Sequence, residues 1–179
     1  MTLVLMHVLI SLLGIASGLV VVIGLLAVRR LHGWTALFLT TTVATSVTGF
    51  VLPADHVLPS HVVGALSLIV LTLAIVARYP RDLAGPWRGI YVISAVTALY
   101  LNVFVAIFQA FLKVPALKAA APTQSEPPFL LTQSAALVAF IVIGAFAVIK
   151  FRREPLYGRP PARPAISTSP STRNPSITQ

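Results

Sequence analysis

Apolar residues run along this chain in five long blocks almost free of charge, at about Leu3–Val28, Trp34–Leu52, Ser60–Ala77, Arg88–Leu112 and Phe129–Ile149. Each block has 18 residues or more. The hydrocarbon core of a bilayer, about 30 Å thick, needs roughly 20 residues at a rise of 1.5 Å. The runs are continuous, whereas strands of a membrane barrel would alternate apolar and polar positions. The pattern therefore predicts an all-α fold, a polytopic transmembrane bundle of five helices filling residues 1–150 as one domain. The second and third blocks are short and should stand nearly upright, while the first and fourth are long enough to tilt.

Prolines mark where these helices stop and start: Pro53, Pro80 and Pro115 follow blocks, and Pro59, Pro86 and Pro127–Pro128 precede them. None lies inside a block, so no proline kink is expected. The connector Arg29–Gly33 is short enough to force an antiparallel hairpin, and Pro53–Pro59 is short as well. The longest connector, Lys113–Pro128, contains a Pro115–Ala121 stretch able to form one or two helical turns at the headgroups. Residues 151–179 turn to Pro, Ser, Thr and Arg, a composition that buries too little apolar surface to order itself. This segment is expected to be a disordered basic tail.

Composition agrees with the pattern. Of the 179 residues, 57% are hydrophobic and 9% charged, against roughly 25% charged in soluble domains. The net charge of +9 raises the question of nucleic acid, but its distribution argues otherwise. Arg29 and Arg30, then Arg78, Arg81 and Arg88, then Lys150, Arg152, Arg153, Arg159, Arg163 and Arg173 all fall on one side of a five-span topology; Lys113 and Lys118 fall on the other. Basic residues are retained in the cytoplasm during insertion, so the N-terminus is expected outside and the tail inside. The basic positions suit anionic headgroups, and no nucleic-acid partner is expected. No basic residue precedes the first block and Arg29–Arg30 follow it, the pattern of a retained helix and not of a cleaved signal. Cysteine is absent, which removes disulfides, thiolate nucleophiles and thiolate metal sites.

Chemistry must then come from the few polar residues in apolar surroundings. Gly14 and Gly18 form a GxxxG step with Ser11 on the same face, a packing surface that could serve oligomerisation. Thr41, Thr45 and Thr48 recur at helical spacing beside Gly49; such hydroxyls most often bond their own i−4 carbonyls. In the expected orientation His7, His56 and His61 gather at the outer end with Asp55, Thr48, Gln109 and Gln133, while His32 sits on the cytoplasmic side. Asn102, in the middle of the fourth block, shares a helix face with Gln109 and with Tyr91, Ser94 and Ala98; an amide there should face the bundle interior. Histidines on facing helices, here His7 and His61, could ligate haem b. His56 and His61 with Asp55 or Glu126 could hold zinc or copper, although an i, i+5 spacing suits one helical face poorly. Thr41, Thr45, Thr48 and Asn102 could line a passive permeation path. No Asp, Glu, Lys or Arg lies well inside a block, which disfavours ion-coupled transport.

Thr48-Gly49-Phe50, Pro59-Ser60-His61-Val62-Val63-Gly64, Tyr100-Leu101-Asn102 and Pro122-Thr123-Gln124-Ser125-Glu126-Pro127-Pro128-Phe129 together resemble the small multi-span proteins of bacterial inner membranes. An early-helix His followed by a later His-x-x-Gly is similar to domain-of-unknown-function families that have been compared with b-type cytochromes. The resemblance covers about the first 150 residues and implies a bacterial plasma-membrane location. The function expected is a non-enzymatic accessory or interaction component. It would use an outer polar site of Thr48, Asp55, His56, Asn102 and Gln109, with the Lys113–Pro128 loop, to meet a ligand or membrane protein partner. The alternatives are a haem protein using His7 and His61, or a permeation path.

Overall fold

The computed structural model of the chain describes residues 2–51 and 59–152; Leu52, Asp55, His56 and the tail from residue 153 lie outside them. The described residues form helices α1 (Thr2–Leu26), α2 (His32–Val51), α3 (Pro59–Arg78), α4 (Trp87–Lys113), α5 (Pro115–Ala120) and α6 (Pro127–Arg152), with no strand among them. All but the six-residue α5 are long and apolar enough to cross a membrane. Successive long helices alternate in direction. One end of the bundle therefore carries Arg29, Arg30, Arg78, Arg81, Arg88 and Lys150, and the other carries His7, Thr48, Lys113 and α5. We call these the basic end and the His7 end.

The helix ends differ from the sequence expectation for local reasons. The first block is apolar to Val28, yet α1 stops at Leu26. There Val28 adopts φ 56°, with its N–H donating to Leu25 O (3.2 Å) and the Arg29 N–H to Gly24 O (2.8 Å). That is the Schellman closure normally made by glycine. A β-branched residue in the left-handed region is costly, and the connector accepts that cost to reverse the chain within a few residues. At α2 the helix begins at His32, two residues before Trp34, because Gly33 is carried inside the first turn. α6 begins at Pro127, where a proline loses nothing at the first helical position, and runs through Lys150 to Arg152. Cations in a last turn complement the helix dipole.

α4 is the central helix. It packs on α1, α3, α5 and α6, while α2 packs on α1 and α3. Its central place follows from its sequence: Gly89, Ser94, Ala95 and Ala98 are buried together with Tyr91, Val92 and Leu99, so small residues let neighbouring backbones approach while large ones fill the gaps. The tightest contact is at Gly18. A Cβ there would lie 2.7 Å from Leu99 Cδ1 and 2.8 Å from the Phe38 ring, and both side chains are buried. Gly14 likewise faces Asn102, Thr41 and Thr42. The GxxxG step thus packs against α2 and α4 of the same chain.

Packing is uneven along the axis. The largest fully buried side chains, Tyr91, Phe38, Phe151, Leu71, Leu99 and Val92, lie in the middle of the bundle and toward the basic end. From Asn102 to Ala110, by contrast, α4 is only half-buried. α6 covers one side with few buried residues and exposes Leu131, Val138 and Ile141, as an element facing hydrocarbon does.

Alanine at position 18 gains about 1 kcal/mol of helix preference but overpacks a closed three-helix contact, which costs about 1–3 kcal/mol. Gly18→Ala is therefore expected to lower the thermal midpoint of the detergent-solubilised chain. Gly33→Ala, where a Cβ meets nothing within 4 Å, should leave it unchanged or slightly higher. A Gly18→Ala midpoint at or above that of the unaltered chain would contradict the close contact.

Candidate functional site

The hydroxyls of α2 mostly satisfy themselves. Thr41 Oγ1 donates to Leu37 O (2.7 Å), Ser46 Oγ to Thr42 O (2.9 Å) and Thr48 Oγ1 to Ala44 O (2.7 Å). In α1, Ser17 Oγ donates to Leu13 O (2.7 Å) and Ser11 Oγ to His7 O (2.8 Å), with Thr45 Oγ1 3.4 Å from Ser11 Oγ. An i−4 bond hides a hydroxyl's proton in its own helix but leaves the oxygen able to accept from a neighbour.

Thr48 uses that remaining capacity. His7 Nδ1 lies 2.8 Å from Thr48 Oγ1. Because the threonine proton is committed to Ala44 O, Nδ1 must be the donor. A neutral imidazole donating from Nδ1 carries its lone pair on Nε2, and Nε2 has no hydrogen-bond partner among the described residues. Asn102 Nδ2 donates to Thr42 Oγ1 at 3.3 Å, tying α4 to α2. Its Oδ1 makes no hydrogen bond among the described residues.

These groups converge on one cavity. His7 of α1, Thr45 and Ser46 of α2, Ser67 of α3 and Asn102 of α4 line a half-open space of about 60 Å³, with Val63, Gly64, Leu101 and Val105 as its apolar wall. That is room for a few water-sized groups. Ser67 is buried, and its Oγ has no hydrogen-bond partner. A buried hydroxyl without a partner costs about 1–3 kcal/mol, so it calls for something in the cavity. Nearer the basic end, Phe38, Leu71 and Leu99 are fully buried.

Of the residues expected from sequence, Asn102 and His7 line this cavity, while Thr48 is outside its wall and reaches it only through its hydrogen bond to His7. Asp55 and His56 lie outside the described residues. Gln109 does not line the cavity, and its Oε1 is buried without a partner. Gln133 sits elsewhere, donating from Nε2 to Phe104 O at 3.1 Å. Ser46 and Ser67 were not anticipated. The available signal was Gly64-Ala65-Leu66-Ser67, two small residues on one face of α3 that leave room opposite the α2 hydroxyls.

His61 is absent from the cavity wall and stacks on Phe50, ring centroids 5.7 Å apart and planes 22° from parallel. A porphyrin between His7 and His61 needs both imidazoles at one large apolar slot. A 60 Å³ space lined by one of them does not fit that group. Among the described residues no three His, Cys, Asp or Glu side chains gather at one point. Glu126 serves the α5–α6 loop, accepting from Thr123 N (3.1 Å), Thr123 Oγ1 (2.8 Å) and Ser125 N (3.0 Å). Desolvation acts upward on its carboxyl, but these hydrogen bonds together outweigh it and hold it below its ordinary range. Of the expected permeation lining, Thr45 and Asn102 reach the cavity, and Thr41 and Thr48 do not.

No protein-family model, no curated protein and no solved structure matches the chain.

Thr48→Val removes the acceptor for His7 while preserving side-chain shape. In membrane bundles an interhelical hydrogen bond contributes about 0.6 kcal/mol on average and up to about 2. The variant is expected to lose stability of that order in denaturant titration of the detergent-solubilised chain. An unchanged unfolding midpoint would mean that the His7–Thr48 pair does not hold α1 to α2.

Proposed function

We propose that the five long helices cross a bacterial plasma membrane, with the His7 end outside and the basic end in the cytoplasm. In this reading the chain is a non-enzymatic binding component. Its cavity between α1, α2, α3 and α4 takes a small neutral group that donates hydrogen bonds, such as a hydroxyl or an amide. The asymmetry of Lys and Arg between the two ends supports the orientation.

One observation carries the binding reading: a polar cavity with unused hydrogen-bonding capacity. Ser67 Oγ is buried and unpartnered, and the wall includes His7 and Asn102, each with one acceptor unused. Two acceptors and a hydroxyl suit a donor-bearing guest. Neutrality follows from the surroundings, because no carboxylate, ammonium or guanidinium among the described residues lines the cavity. An ion brought there would lose its hydration without compensation. Among the described residues the wall's one titratable group is His7, which gives little with which to drive a reaction. The packed core nearer the basic end, where Phe38, Leu71 and Leu99 are fully buried, favours a pocket over a through-path.

Extraction of the chain from its native membrane into nanodiscs, followed by mass spectrometry of what is retained, tests this reading. The unaltered chain should carry a discrete small molecule that Ser67→Leu, which fills the cavity with an apolar side chain, fails to retain. Equal retention by both, or none by either, would contradict it.

A further inference from the structure

The two ring nitrogens of His7 have separate tasks. Nδ1 donates to Thr48 Oγ1 at 2.8 Å, and the threonine proton is committed to Ala44 O. A neutral ring therefore keeps its proton on Nδ1, and Nε2 accepts. A second proton leaves the bond to Thr48 in place, because a cationic imidazole still donates from Nδ1. Only Nε2 changes: it loses its lone pair and becomes a donor. Protonation thus spares the contact between α1 and α2 and acts on the cavity alone.

His7 is also the wall residue best placed to meet a proton. It stands seven residues, about 10 Å of helix, from Gly14, the residue of α1 that Asn102 meets. Asn102 is accordingly the inner polar group of the cavity and His7 the outer one. The neighbours of His7 are mostly uncharged. From α2 it meets Thr48, with Thr45 one turn further in beside Ser11. α6 also packs on α1, and the acid preceding it, Glu126, is held by Thr123 and Ser125. α3 brings His61, which is outside the wall and stacks on Phe50. α4 ends in Lys113, whose ammonium acts on His7 electrostatically, and Lys118 of α5 is exposed. Among the described residues no carboxylate lines the cavity to pair with a cationic ring.

We propose that His7 is the selectivity switch of this cavity. Neutral, it takes a guest that donates to Nε2; protonated, it turns that donor away and favours an acceptor. This deepens the binding reading and rests on it. Asn102 Oδ1 and Ser67 Oγ do not titrate, so the change of preference belongs to His7. A hydroxyl or amide N–H held near neutral pH loses its bond to the ring as the pH falls through the range in which histidine titrates.

Saturation-transfer NMR of the chain in nanodiscs, with acetamide or acetone as the probe, tests the switch. The two probes match in size and shape, but acetamide has a donating NH2 where acetone has a methyl group. Signals are taken above those of Ser67→Leu, whose cavity is filled. At about pH 7.5, where histidine is ordinarily neutral, acetamide should exceed acetone about threefold or more. At about pH 5, where it is ordinarily charged, that preference should vanish or reverse. His7→Phe, which keeps a ring without nitrogens, should show no pH response. Where His7→Phe yields no folded protein, ring ¹⁵N spectra of the unaltered chain read the same switch. One histidine should carry its neutral proton on Nδ1, lose that preference in Thr48→Val, and titrate where the probe preference falls. A preference that holds at the lower pH, a pH response that survives in His7→Phe, or a response out of step with that ring would overturn the switch and leave the binding reading standing. Acetamide signals no stronger than those of Ser67→Leu at either pH would overturn the binding reading, and the switch with it.

Discussion

Every polar group in the long helices of this bundle must find its partner inside the protein, because the hydrocarbon proposed to surround it offers none. That constraint explains most of the architecture. The threonines and serines of α1 and α2 return their protons to their own i−4 carbonyls. This removes polarity from the helix surface and leaves hydroxyl oxygens as acceptors for cross-helix contacts, as between His7 and Thr48. With no apolar driving force between helices in lipid, close approach must do the rest. Glycine at positions 14 and 18 supplies it, setting α1 against α2 and α4.

The two ends of the bundle resolve the constraint differently. In the middle and toward the basic end, large aromatic and aliphatic side chains close the core, and the charged residue drawn under their edge, Arg78, rests on Tyr91. At the His7 end packing loosens, and the polar side chains that remain define a small cavity with unmet hydrogen-bonding capacity. The proposed site lies where the internal accounting of polar groups fails to close, at a buried hydroxyl that has no hydrogen-bond partner among the described residues.

Much of the fold was legible in the sequence because hydrophobic length is a one-dimensional property. Uncharged blocks of 18 or more residues specify helices whatever their neighbours do. The ends were less legible: the chain reverses at Val28 through a left-handed valine, which no propensity anticipates. The site was legible only in part. A mid-block amide such as Asn102 must turn inward, and His7 and Thr48 could be matched by depth. Ser67 could not, since its significance depends on which residues of three other helices stand opposite it. His61 was assigned by depth as well, but depth does not fix rotation about the helix axis, and its ring stacks on Phe50. The small-residue step at Gly14 and Gly18 identified a packing face correctly in kind, though not whether its partner was this chain or another.

The central claim, that the bundle crosses a membrane with its basic end in the cytoplasm, is open to a direct measurement because the chain has no cysteine of its own. Single cysteines at the exposed positions Thr123 and Arg81 can be probed in intact cells with a membrane-impermeant maleimide. Thr123→Cys should label at once and Arg81→Cys only after the membrane is permeabilised. Immediate labelling of Arg81→Cys with protection of Thr123→Cys would invert the orientation, and immediate labelling of both would contradict the membrane-crossing bundle itself.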